Sequence, residues 1–232
     1  MKKLSIIIPA YNERNTLKEI LRRVEKVKLI GGLDKEIIIV DDASVDGTAE
    51  IINSLAGSYI VITHNSNQGK GASVIDGFKR STGDIVVIQD ADLEYNPENL
   101  NDLLNPILDG RADVVYGSRF VTNQPHRAIY FWHYLGNIFI TFLSNLFTNL
   151  NLTDMETCYK MFTRKVIDDI APKLKSRRFG IEPEITARVK KYRVYEVGIS
   201  YSGRTYKEGK KISWTDGVRA IWQIIYFNIF VD

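Results

Sequence analysis

Ile85-Val86-Val87-Ile88 is an unbroken β-branched run that leads straight into Gln89-Asp90-Ala91-Asp92-Leu93-Glu94. A run with no polar alternation, entered from a Gly83-Asp84 turn, predicts a strand buried on both faces of a parallel sheet. In open α/β sheets ligands bind outside the carboxyl ends of the strands, so the acids belong at the crevice rim. Period-two spacing puts Asp90, Asp92 and Glu94 on one side if the chain stays extended. Three hard oxygen donors so close suit Mg²⁺ or Mn²⁺ holding a diphosphate. The plainer alternative is a strand-end cluster that only caps the next helix.

The flanking chain repeats this design. Leu4–Ile8, Glu36–Val40, Tyr59–Thr63 and Val114–Gly117 are further short apolar runs. Between them, Leu17, Ile20, Leu21, Val24 and Val27 form the stripe of an amphipathic helix over Arg14–Lys28, with Gly31-Gly32 beyond its end. More helices are predicted from the 65–71 turn to Ser81 and from Pro97 to about Leu108. Strand and helix alternate with short links, so the fold class is α/β: a doubly wound, mostly parallel sheet with helices on both faces.

Charge divides the chain. Residues 1–150 carry 15 basic and 18 acidic side chains, and residues 151–232 carry 16 and 10. A basic C-terminal third fits an anionic substrate, an anionic membrane surface or nucleic acid, but no nucleic-acid module accompanies it, which disfavours the last. The single Cys158 excludes an intrachain disulfide and a multi-cysteine zinc site, and points to a reducing compartment. Met1-Lys2-Lys3 and the short apolar run after it do not make a signal peptide, so a cytoplasmic protein is expected.

Residues 129–150 contain no Lys, Arg, Asp or Glu. Their length suits a membrane span, but Asn137, Thr141, Ser144, Asn145, Thr148 and Asn149 recur mostly at three- and four-residue steps. That polar stripe favours an amphipathic helix, packed on the domain, in a homodimer or in a membrane interface. Residues 214–231, with Trp222, Tyr226, Phe227 and Phe230, form a second such helix. One domain spanning 1–232 is expected: a donor-binding half, 1–120, and an acceptor-binding half, 121–232, carrying both amphipathic helices.

The quoted strand ends also form a familiar set. Ser5–Glu13 (SIIIPAYNE), Val40–Thr48 (VDDASVDGT), Asn67–Gly71 (NQGKG) and Gln89–Glu94 (QDADLE), in that order, resemble the family-2 inverting glycosyltransferases, which have the GT-A fold and use nucleotide-sugar donors. Gly117-Ser118-Arg119, Thr157–Phe162 and Arg204–Lys210 extend the likeness over nearly the whole chain, toward the polyprenyl- and dolichyl-phosphate hexose synthases.

The resemblance implies roles. Pro9, Ala10, Tyr11 and Glu13 line the nucleoside pocket, with the Tyr11 ring as a flat face and Glu13 accepting from ribose hydroxyls. Asp42, and with it Asp41, accepts from a base N–H, while Asp46 opens the helix after Gly47. Lys70 and Gly71 lie near the donor in a glycine-bearing turn, which is no P-loop because G-x-x-x-x-G-K-[ST] is absent. Asp90 contacts ribose or metal, and Asp92 and Glu94 hold the metal. Glu94 stands where many relatives have Gln, which strengthens the expected dependence on a divalent ion. Asp90, Asp92, Arg204 and Lys210 are the expected catalytic set. Arg204, Lys207, Lys210 and Lys211 would stabilise the leaving diphosphate from a loop with Gly203 and Gly209. Arg119, Arg127 and His133 are candidates for the acceptor.

A sugar-hydroxyl acceptor needs a positioned base, whereas a lipid phosphate is already an anion. Asp154 and Glu156 are the candidate bases, and Thr157-Cys158-Tyr159-Lys160 matches lipid-phosphate users better. Glu182-Pro183-Glu184 reads as a helix start. The leading expectation is a peripheral enzyme on the cytoplasmic membrane face, moving a hexose from UDP-glucose or GDP-mannose to a polyprenyl phosphate. A saccharide-directed transferase and a non-catalytic nucleotide-sugar binder are the alternatives.

Overall fold

The structure is a computed structural model that describes residues 2–55, 57–121, 127–128, 130–205 and 214–231. Strands β1 (Lys3–Ala10), β2 (Asp34–Asp41), β3 (Ile60–Thr63), β4 (Ile85–Ile88), β5 (Val114–Ser118), β6 (Lys160–Thr163) and β7 (Val194–Gly198) form one sheet in the order β3-β2-β1-β4-β6-β5-β7. All pairs are parallel except those of β6, which runs antiparallel to β4 and β5. The expected doubly wound, mostly parallel α/β sheet is what the chain forms. β6 and β7 had no reading in the sequence. β6 is four residues long and β7 is only partly buried, so neither carries a clear apolar signature.

Helices α1 (Leu17–Lys26), α2 (Thr48–Ser54), α3 (Lys70–Arg80) and α4 (Leu100–Leu108) link the first five strands. From β1 the chain moves outward through α1 to β2, then returns through α3 to β4 on the other side. Right-handed crossovers in opposite directions place α1 and α3 on opposite faces. The strand order therefore reverses between β1 and β4, and a crevice opens at their carboxyl ends. Leu4, Ile6, Ile7, Ile8, Val86, Val87 and Ile88 are fully buried there. Gly77 lets α3 sit close on β1, since a Cβ at that position would lie 2.4 Å from Ile7 Cγ2.

Two local expectations need correction. α1 begins at Leu17 rather than Arg14, because Glu13 O accepts from Thr16 N and Leu17 N in a preceding turn. The acids after β4 are not on an extended chain: the strand stops at Ile88, and Leu93 adopts φ 65°.

The second half adds α5 (Phe131–Thr148), α6 (Arg164–Ile170), α7 (Ile181–Val189) and α8 (Trp214–Ile229). α7 starts at the Glu182-Pro183-Glu184 segment, as its composition implies. α5 packs against α7 and α8 with its polar stripe inward: Thr141, Ser144 and Thr148 are its buried residues. The stripe satisfies the chain that follows, as Asn145 exchanges two hydrogen bonds with Leu152 and Thr141 Oγ1 accepts from Met155 N at 3.2 Å. The aromatic side faces out, with Trp132 76% exposed, Phe142 63% and Leu146 68%, beside Trp222 at 62% on α8. Packing of that side into the core does not occur. Among the described residues no helix is long and apolar enough to cross a membrane.

Candidate active site

The chain ends of β1 and β2 are laced together at the crevice. Asn12, at φ 56°, donates its N–H to Ser44 Oγ and accepts from Val45 N, at 3.0 and 2.9 Å. Glu13 N donates to Thr48 Oγ1 at 2.9 Å. Pro9 and Ala10 close β1, and Tyr11 stands exposed at the rim beyond them. Asp46 accepts from Thr48 N and Arg14 N, so its role is the turn before α2, with Gly47 at φ 97° in the cap position.

Asp41 and Asp42 are buried and engaged by their own chain. Asp41 Oδ1 accepts from Ser44 N and Oγ. Asp42 accepts from Gln68 N, Gly69 N and the His64 ring at 2.7–2.8 Å. His64, which sequence reasoning passed over, lies between Asp42 and Asp76. Asp42 thus anchors the turn that delivers Lys70. Gly69 makes that turn at φ 96°, and Gly71 has a packing duty: a Cβ there would lie 2.1 Å from Ser176 O. The first turn of α3 is also closed by Arg177 O, which accepts from Ala72 N.

Lys70 reaches across the crevice to Asp90 at 2.9 Å and lies 3.6 Å from Glu182. Burial works against its ammonium charge, but Asp90 and then Glu182 hold its pKa well above the ordinary range. Glu182, read from the sequence only as part of a helix start, also binds the fully buried Lys160. Nothing in sequence spacing aligns positions 70, 160 and 182; only the folded α3, β6 and α7 do.

Asp92 and Glu94 turn to a different cation. Arg204 donates through Nη2 to Asp92 at 2.9 Å and through Nε to Glu94 at 3.3 Å, while its backbone N–H donates to Glu94 at 2.8 Å. Its Nη1 stands 3.6 Å from Glu13. Tyr201 OH also donates to Glu94, at 2.6 Å. Burial, then the charges of Asp90 and Glu94, push the Asp92 carboxyl up to about 7, and Arg204 offsets only part of this. The three expected metal residues are therefore divided between Lys70 and Arg204, and among the described residues no three acidic, histidine or cysteine side chains converge as a ready cage. The site is nonetheless built of hard oxygen donors, with the carboxylates of Glu13, Asp90, Asp92 and Glu94 set against the two cations Lys70 and Arg204. That chemistry fits a divalent ion bound through two carboxylates and phosphate oxygens.

Two of the acceptor candidates, Arg119 and Arg127, meet the 201–204 segment that carries Arg204. Arg119 lies over the Tyr201 ring at 5.3 Å and forks onto the fully buried Asp154 at 2.6 and 2.7 Å. Asp154 is thus committed to Arg119. Arg127 donates through its backbone N to Tyr201 O and through Nη1 to Gly203 O. His133 sits in the first turn of α5, its ring tilted against Tyr130 at 5.8 Å. Lys207, Gly209, Lys210 and Lys211 lie outside the described residues. Glu156 is half-buried, yet its Oε1 is sealed and lacks a hydrogen-bond partner among the described residues. Burial, then Glu182, push its carboxyl up to about 7.

Comparison with known proteins gives the family and the fold. The family model for Glycosyl transferase family 2 matches residues 5–171. A dolichol-phosphate mannosyltransferase of Pyrococcus furiosus is 41% identical over 121 residues, covering 51% of this chain and 34% of that protein. This chain therefore spans about a third of that relative. A UDP-N-acetylglucosamine–dolichyl-phosphate N-acetylglucosaminyltransferase of Methanococcus voltae is 25% identical over 248 residues, covering 98% of this chain and 97% of that one. The fold is shared with glucosyl-3-phosphoglycerate synthase of Mycobacterium tuberculosis, solved with Mn²⁺ and uridine diphosphate, at TM-score 0.74 and 18% identity over 98% of this chain and 80% of that one. With the crevice, its acids and these matches in agreement, the chain belongs to glycosyl transferase family 2 and is a glycosyltransferase of the GT-A fold.

Proposed function

We propose that the enzyme transfers a hexose, with inversion, from a nucleotide-sugar donor to a polyprenyl or dolichyl phosphate at the cytoplasmic face of a membrane. UDP-glucose and GDP-mannose are the donors to test first, with UDP-N-acetylglucosamine added by the Methanococcus voltae relative. The observation that carries the reading is α5, which turns its polar stripe to the protein and its aromatic side outward. An exposed apolar face of that size, in a segment without acidic side chains, suits a lipid surface. Exposed Arg219 on α8, which packs against α5, and Lys190, which donates to Asn228 of α8, supply cations for anionic headgroups.

In this reading the nucleoside lies beside Tyr11 and Glu13, and Lys70 holds Asp90 at the donor. Asp92 and Glu94 would hold Mg²⁺ or Mn²⁺, the latter being the ion with which the structural neighbour was solved, and the ion would supply charge stabilisation for the departing diphosphate. Arg204 adds a cation to that leaving group. Arg119 and Arg127 face the acceptor phosphate, which needs no base because it arrives as an anion.

The test is transfer of radiolabel from each donor into the organic phase with a short polyprenyl phosphate. Chelator-sensitive label there is expected; donor binding without lipid-borne label would overturn the lipid acceptor. Glu156 favours a second reading, because a carboxyl near 7 whose Oε1 has no hydrogen-bond partner among the described residues is fit to take a proton from a saccharide hydroxyl. In that case Glu156→Gln loses turnover and a saccharide acceptor takes the label.

A further inference from the structure

We infer that Arg204 is a resident counter-cation of the donor site: it closes the acid cluster when no divalent metal is bound and leaves Asp92 and Glu94 when one is taken up. The inference rests on the reading of Asp92 and Glu94 as the metal-holding pair, and adds how that pair is kept folded and guarded without metal.

The geometry is that of a plug. One guanidinium lies among three carboxylates, at 2.9 Å from Asp92, 3.3 Å from Glu94 and 3.6 Å from Glu13. Its segment is tied down by Glu94, Tyr95 and Arg127. Tyr201 OH and the Arg204 backbone N–H both donate to the Glu94 carboxylate, and Ser202 N donates to the Glu94 carbonyl. Tyr201 bridges to Tyr95, and its ring stacks edge-on against Tyr95 at 5.3 Å. Arg127 holds Tyr201 O and Gly203 O.

A guanidinium offers only donors and competes with a metal for carboxylate oxygens. Here Asp92 Oδ2 and Glu94 Oε1 accept from Arg204, while Asp92 Oδ1 accepts from Glu94 N and Glu94 Oε2 from Tyr201 OH, so no oxygen of the pair is free of a hydrogen bond. Two cations a few ångströms apart in a half-buried site also repel. A divalent ion brings twice the charge in a smaller volume, in a cluster whose acids a single guanidinium leaves under-compensated. Arg204 is therefore exchanged out of Asp92 and Glu94 rather than joined there. Its backbone stays moored through Gly203 O to Arg127, so the freed fork remains beside the cleft, where bidentate pairing with a diphosphate suits it. One side chain thus guards the empty site and serves the filled one.

The test is Mn²⁺ binding to the full chain, with no donor present, followed by electron paramagnetic resonance of the free ion. Arg204→Gln is expected to bind Mn²⁺ at least about fivefold more tightly than the wild-type chain, the lower end of ordinary coupling between two linked ligands. In Arg204→Gly, added guanidinium chloride at constant ionic strength is expected to weaken Mn²⁺ binding progressively. Should Arg204→Gln not fold, Arg204→Lys keeps the charge but loses the fork, and an intermediate affinity is expected. Equal or weaker binding in the Arg204 variants overturns the inference alone. Absence of Mn²⁺ binding from every form, or binding unaltered by Asp92→Asn, overturns the metal reading of Asp92 and Glu94 and the inference with it.

Discussion

Arg119 grips Asp154 with both ends of its guanidinium, at 2.6 and 2.7 Å, on a carboxylate that solvent does not reach. Removing one member of a buried, forked pair leaves the other uncompensated, at roughly 3–5 kcal/mol. Asp154→Asn is expected to lose about that much stability in urea unfolding. Arg119→Met combined with Asp154→Leu should recover a good part of it, because both charges then leave together. A stable Asp154→Asn single variant would show that the pair is not closed in solution.

Asp92 behaves differently, because the like charges of Asp90 and Glu94 outweigh the Arg204 guanidinium beside it. Asp92→Asn removes a carboxylate crowded by Asp90 and Glu94, so the metal-free variant should be as stable as the wild type or more so. Metal-dependent turnover should fall by roughly 100-fold or more, the scale of losing one charge-stabilising group. Chelation of the wild type with EDTA should reproduce the loss, and restored Mn²⁺ should reverse it. Turnover unaltered in Asp92→Asn would remove this residue from the metal site.

Glu156 sets a pH dependence of known sign. Its folded pKa, about 7, lies above the ordinary 4.5, so the folded state holds the proton more tightly. Stability from this group is full below about pH 4.5 and is lost as pH rises through 7. A shift of that size corresponds to on the order of 3 kcal/mol as an upper limit. Glu156→Gln, which cannot ionise, should therefore gain stability over wild type progressively from pH 5 to pH 8, read as the difference in melting temperature. A difference that stays flat with pH would mean the carboxyl is solvated in the native state.

The outward aromatic face of α5 yields a binding prediction. Each large apolar side chain moved from water into an apolar phase contributes roughly 1.5–3 kcal/mol. Phe142→Glu with Leu146→Glu should lower co-sedimentation with anionic phospholipid vesicles by at least about tenfold. Both side chains are exposed, so the melting temperature should barely move. Retained vesicle binding with a self-associating wild type would assign the face to a second copy of the chain.

Gly71 separates a packing role from a donor role. Its missing Cβ leaves room for Ser176 O, which would otherwise lie at 2.1 Å. Gly71→Ala should cost about 1–3 kcal/mol of stability through the forced shift of the 176–178 segment. A normal melting temperature with a raised donor KM would assign Gly71 to the donor site.

Much of the fold was legible because its signals are local. The β-branched run at Ile85–Ile88 and the stripe through Leu17, Ile20, Leu21 and Val24 each declare their period within a dozen residues. The carboxyl-end placement of Asn12, Asp42 and Asp92 follows from that alternation and the handedness of crossovers. β6 was not legible, since Lys160–Thr163 shows no periodicity and takes its place only from β4 and β5 on either side.

The sequence by itself determined the α/β alternation, the family and the strand ends at which the acids gather. Hydrophobic period and turn chemistry act between near neighbours, and they survive in a single string of letters. Tertiary structure alone decided the partners: Lys70 with Asp90 and Glu182, Arg204 with Asp92 and Glu94, Asp154 with Arg119, and Asp42 with its own turn. It also decided that the polar stripe of α5 faces inward, since Leu152 and Met155 need hydrogen-bond partners there. Charge pairing and burial depend on distances across the sheet, between residues tens of positions apart, and no periodicity along the chain encodes them.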